Sequence, residues 1–157
     1  MVENELTISN AVLIDLMKDA ASKGSSFKFQ VKGFSMLPFI RDNDVLTISP
    51  FSPFSNNLGN SVAFIHPKTE SLIIHRLIAK HNNSYIVKGD NIPTPDGLIS
   101  RKDIVGFVSG IERKGKKVLF GFGPERFLIV LLSRINIFFL LISVHRFMRQ
   151  TLRRFSG

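Results

Sequence analysis

Between residues 27 and 122, apolar and polar side chains alternate in short runs, and turn-forming residues interrupt the runs every few positions. A period of two sends successive side chains to opposite faces of an extended chain, so this stretch reads as strands and not as helix. "FKFQVKG" sets Phe27, Phe29 and Val31 against Lys28, Gln30 and Lys32. Further strands are expected at 44–48, 61–66, 71–81, 84–90, 104–113 and 116–122. "PKTE", "NN" and "KG" mark tight turns, and 50–60 and 91–100 read as loops. Short strands with close turns imply a mainly β fold: a small, curved, antiparallel domain.

Helices flank it. In "ELTISNAVLIDLMKDAAS" (5–22), Leu13, Leu16, Met17 and Ala20 recur at helical spacing, with Ser9 or Asn10 as N-cap and Gly24 as terminator. The expected organisation is an N-terminal amphipathic helix (1–26), the β domain (27–122) and a basic, apolar tail helix (123–157).

Charge separates the tail from the rest. Residues 1–100 carry nine Lys and Arg against nine Asp and Glu, while 101–157 carry twelve against three. The tail's arginines alternate with Phe, Leu and Ile, a pattern suited to an anionic lipid surface more than to phosphate grooves, so no nucleic-acid partner is expected. Residues 127–144 form an 18-residue run, apolar except for Ser133, Arg134, Asn136 and Ser143. That reaches the lower limit for a membrane span, but Arg134 near its middle costs roughly 2.5–3.5 kcal/mol on insertion scales. A marginal span, a helix lying in the interface, a helix docked on a partner and a C-terminal helix packed on the β domain all fit, and a membrane surface is the expected partner of residues 127–154. The acidic start lacks the pattern of a secretory signal, which by default leaves a membrane-associated β domain on the cytoplasmic side. Cysteine is absent, which excludes disulfides and thiolate metal ligands. The histidines show no ligand spacing with carboxylates, and neither a metal site nor a cofactor is expected.

A serine hydrolase needs a nucleophile, a base, a group that orients the base, and donors for the oxyanion. Ser35 sits where a strand ends at Gly33 and the chain must turn before Pro38, a place that can expose both a hydroxyl and free backbone amides. His75 shares a strand face with Ile73 and Leu77, where burial favours a neutral imidazole. Asp90 ends a strand, and Asp96 follows six residues later. Taken singly, each also reads as an ordinary turn or core residue.

In order, "GFSMLP", "DNDVLTI", "IIHRLI", "YIVKGDNIPTPD" and "IVGFVSGI" resemble the type I signal peptidase family, in its serine/histidine branch, over about residues 29–111. The same likeness extends to the self-cleaving repressors, which share the β fold but use lysine as base. The resemblance implies that Ser35 is the nucleophile, His75 the general base, Asp96 the aspartate that orients it, and Asp90 a second essential aspartate. It also implies an apolar groove that takes an extended peptide substrate by strand addition, with small side chains before the scissile bond. The chain has Asn43 and Asp44, and again Gly59 and Asn60, where the family usually has Gly-Asp, and its long apolar segment is C-terminal where the family's anchor is N-terminal. The function expected is a serine endopeptidase acting on a leader or membrane-adjacent peptide; the alternatives are a non-catalytic peptide-binding module at the membrane surface and a membrane-surface regulator.

Overall fold

The structure is a computed structural model that describes residues 10–52 and 57–155. Among these, α1 (Asn10–Ser22) leads into strands β1 (Phe27–Gln30), β2 (Val45–Pro50), β3 (Ser61–Ile65), β4 (Leu72–His81), β5 (Ser84–Lys88), β6 (Leu98–Ser100), β7 (Ile104–Arg113) and β8 (Lys116–Lys117). Helices α2 (Glu125–Arg134) and α3 (Ile137–Phe155) complete the chain. The strands form one antiparallel sheet in the order β1-β2-β7-β3-β4-β5-β6, with β8 paired to β7. The fold is mainly β, as the alternation requires.

The two faces of the sheet carry two apolar clusters. Val62, Phe64, Leu77 and Val87 centre one, with Ile73 packed against it; Leu46, Ile48, Ala63 and Val108 centre the other, with Leu72 and Ile74 against it. The alternation read along β4 therefore sorts its residues correctly between faces. Ile14 and Met17 are buried on the inner side of α1, which packs on β2 and β7. This helix ends as its sequence requires. Gly24 takes φ 69, Gly24 N–H donates to Ala21 O and Ser25 N–H to Ala20 O, the paired bonds of a Schellman terminus. The proposed Ser9 cap lies outside the described residues.

Three expectations need correction. Residues 98–100 form a strand, with Ile99 opposite Tyr85, although the prolines and glycine before them suggested loop throughout. Of 116–122, only Lys116 and Lys117 are strand, and Val118 adds one further bond to Ile111 O. The tail is not one helix: α2 and α3 meet at a 68° bend. Asn136 causes the break. It adopts φ 59 just past the end of α2 and donates to Ser133 O, the left-handed terminus for which asparagine is second only to glycine.

Helix α2 docks on the sheet. Ile129, Val130 and Ser133 are buried, and Lys88 Nζ, from the end of β5, donates to Ser133 O at 2.8 Å. Arg126 donates to Asn60 Oδ1 at 3.2 Å, and Arg134 donates to Ile78 O in β4. Arg134, the residue that makes a membrane span costly, is thus bound to protein. No single described helix is long and apolar enough to cross a membrane; α2 and α3 pass that test only as a bent pair.

Candidate active site

An open groove of about 620 Å³ runs along the sheet end. One wall is formed by residues 29–33, on the outer side of β1, which is an edge strand. The opposite wall is formed by residues 71–75. β5 pairs with β4 only from Arg76 onward, opposite Lys88, so the start of β4 also keeps one edge unpaired. Two strand edges therefore border one groove, whose floor includes Met36 and Ile40. Ser35, His75 and Asp96 all line it.

His75 is 5% exposed, and its Nδ1 lies 2.5 Å from Asp96 Oδ2. An ionised carboxylate only accepts hydrogen bonds, so Nδ1 carries the proton and donates it to Asp96. The lone pair of the neutral ring is then on Nε2, the nitrogen a general base uses. Asp96 is itself pinned, because its backbone N–H donates to Val87 O at 3.0 Å and extends the β5 edge. The loop that composition marks only as irregular is thereby fixed at the residue that matters.

Gly89 brings Ser35 and His75 together. A Cβ at this position would lie 2.8 Å from Ser35 O and 2.9 Å from His75 Nε2, so only glycine lets the three approach. Asn91 holds the serine turn on the same side: its backbone N–H donates to Ser35 O at 2.8 Å and its Nδ2 to Phe34 O at 3.0 Å. Among the described residues no hydrogen bond joins Ser35 Oγ to the imidazole; the two share the groove wall, with Nε2 turned toward Gly89. The Ser35 and Met36 amides likewise have no backbone partner among the described residues.

The turn after the serine is more than a passage to β2. Asp42 Oδ1 accepts from Gly33 N–H at 2.9 Å, and Asp44 accepts from Arg41 N–H at 2.8 Å. Arg113 grips Asp44 through Nε at 2.9 Å and Nη2 at 2.7 Å, and also reaches Phe39 O. Burial alone would raise the Asp44 pKa, but the Arg113 hydrogen bonds, the Arg41 amide and the nearby positive charges outweigh it, and the net shift is downward. Asn43 supplies the left-handed residue this turn needs, at φ 66. Both ends of the Ser35 loop are therefore clamped by the "DND" turn.

Asp90 stands elsewhere. The family resemblance grouped it with Ser35, His75 and Asp96 as a second essential aspartate, but it is wholly buried and does not line the groove. Arg76 donates Nε to Asp90 Oδ1 at 2.9 Å, Nη2 to Asp90 Oδ2 at 2.7 Å, and Nη1 to Gly59 O at 2.6 Å. Such a two-pronged pair fixes the plane of both groups. Asp90 thus positions the site: it lies between Gly89 and Asn91 and grips the residue next to His75. Neither "IIHRLI" nor "YIVKGDNIPTPD" reveals the roles of Arg76, Gly89 or Asn91, because pairing across two strands is not carried by either stretch alone.

Burial lowers the Lys88 pKa, and the charge of Asp90 partly offsets this. Among the described residues no group of three or more His, Asp or Glu side chains is arranged to hold a metal. No protein-family model matches the chain, and a search of curated proteins finds no significant relative.

Proposed function

We propose that the protein is a serine endopeptidase of the signal peptidase type, with Ser35 as nucleophile, His75 as general base and Asp96 as the group that orients it. The observation that carries this reading is the His75–Asp96 bond, which leaves Nε2 available at a groove wall shared with Ser35. An extended peptide would add as a strand between the two unpaired edges, with side chains entering the apolar floor.

His75 Nε2 takes the hydroxyl proton as Ser35 Oγ attacks the peptide carbonyl, and Asp96 stabilises the imidazolium that forms. Amides at the start of the Ser35 turn face the developing oxyanion. Collapse of the tetrahedral species breaks the C–N bond, and the leaving amine takes the proton from Nε2. Water then attacks the acyl-enzyme, again giving its proton to His75, and Ser35 is regenerated.

The test is incubation of the full chain with a proteome-derived peptide library, with new N-termini identified by mass spectrometry. Wild-type protein should generate ends that Ser35→Ala and His75→Ala both lose. Equal cleavage by either variant refutes the assignment.

A further inference from the structure

We propose that α3 is an interfacial helix that rests on an anionic lipid surface while its first turn stays fixed to the β domain beside the Ser35 loop. This proposal stands apart from the peptidase reading, because it concerns binding and is measured without turnover.

The first observation is the helix's own surface. Leu140, Leu141, Val144, Phe147, Met148 and Leu152 are all exposed, between 48% and 70%. Their spacing of one, three and four residues places them on one side of a helix. Arg146 and Arg149, also exposed, fall on the opposite side. Over its 19 residues α3 has four arginines and no Asp or Glu. An exposed apolar face on a helix whose only charged side chains are arginines fits a helix that lies in the headgroup region of an acidic bilayer.

The second observation is what the other elements are already doing. α2 has its buried face on the sheet and its Arg134 bonded to Ile78 O. A transmembrane arrangement would have to strip α2 from those partners, whereas in-plane binding of α3 leaves them intact. Phe138, in the first turn of α3, meets Phe39 edge-on at a centroid distance of 5.0 Å. Phe39 lies four residues past Ser35 in the same turn, so the first turn of α3 is tied to the Ser35 loop, and the exposed apolar face runs on from there, from Leu140 to Leu152. A nucleic acid would satisfy the arginines but leave the apolar face in water, so lipid is the occupant that matches both sides.

The experiment uses the purified full chain and co-sedimentation with two kinds of vesicle: phosphatidylcholine alone, and phosphatidylcholine with one-quarter phosphatidylglycerol. The protein should pellet with the anionic vesicles, and high salt should weaken the binding. Arg146→Gln/Arg149→Gln should weaken it about 30-fold. Phe147→Gln/Met148→Gln should weaken it by about tenfold or more through lost apolar contact. All four side chains are exposed, so both variants should keep the wild-type circular dichroism and thermal midpoint. Wild-type protein that stays in solution with anionic vesicles overturns the proposal, as does wild-type binding by the Phe147→Gln/Met148→Gln variant. So does a wild-type dimer that this variant converts to monomer while vesicles remain unbound, since the face would then belong to a second copy.

Discussion

Gly89→Ala is the sharpest perturbation the site offers. The added methyl would sit 2.7 Å from Ile92 Cγ1, 2.8 Å from Ser35 O and 2.9 Å from His75 Nε2, where ordinary contact begins at 3.4 Å. The Ile92 side chain can rotate away. The other two obstacles are held: Ser35 O accepts the Asn91 amide at 2.8 Å, and the imidazole is fixed by Asp96 at 2.5 Å. Each must retreat by roughly half an ångström, which overpacking series put at about 1–3 kcal/mol of stability. Because the two displaced groups belong to the loop of the proposed nucleophile and to the proposed base, activity should fall further than stability, by about ten- to a hundredfold in kcat/KM. The assay is turnover of a peptide found in the library screen, alongside thermal unfolding and the low-field NMR signal of the His75 Nδ1 proton. Gly115→Ala is the control: φ is 74 and no atom lies within 4 Å of its Cβ position, so it should lose stability with no specific loss of activity. Should Gly89→Ala lose no more activity than Gly115→Ala at matched stability, with an unmoved proton signal, the close approach at Gly89 has no bearing on the site.

Asp96→Asn keeps the size of the side chain but removes its charge and offers Nδ1 an amide; activity should drop about 10³- to 10⁴-fold with little change in urea unfolding, and wild-type rates would exclude Asp96 as the orienting group. Asp90→Ala strands a buried guanidinium and should cost about 3–5 kcal/mol in the same unfolding assay; a loss near zero would mean that Arg76 finds other partners. Asp44 has its pKa lowered in the folded protein, so its contribution is complete above the ordinary aspartate value of 3.8 and fades as pH falls through the lower folded value. Thermal midpoints should therefore decline below about pH 4, and Asp44→Asn should flatten part of that slope; an unchanged slope would assign the acid sensitivity to other carboxylates.

The β domain was legible because its information is local. Alternation along "FKFQVKG" and "SLIIHRLIAKH" fixes which side chains share a face, and glycine or asparagine at Gly24 and Asn43 marks where the chain turns left-handed. The site was legible only in part. The family resemblance singled out Ser35, His75, Asp96 and Asp90; the first three line one groove, whereas Asp90 is buried away from it and holds Arg76. Which carboxylate reaches the histidine depends on where two loops close in space, and neither spacing nor composition carries that. The tail misled for a similar reason. Its 18-residue, mostly apolar run looks continuous, but one asparagine takes a left-handed conformation and Ser133 is claimed by Lys88 from another element, so about half the run belongs to the sheet.

His75 and Arg76 are neighbours on β4 that face opposite sides, and the strand therefore works as a partition. On one side lies the imidazole with its groove. On the other, Arg76 grips Asp90 and Gly59 O, and a Cβ on Gly59 would lie only 2.9 Å from Arg126 O of α2. Lys88, one residue from Gly89, is bonded to Ser133 of the same helix. Cutting away the tail would bare a lysine and loosen the support behind His75. A shortened chain thus makes a poor tool for separating the proposed lipid binding from the proposed peptide cleavage, whereas point changes on the outer face of α3 leave the partition standing. The same geometry gives any pull on α2 a short mechanical path to the histidine, two residues long at most.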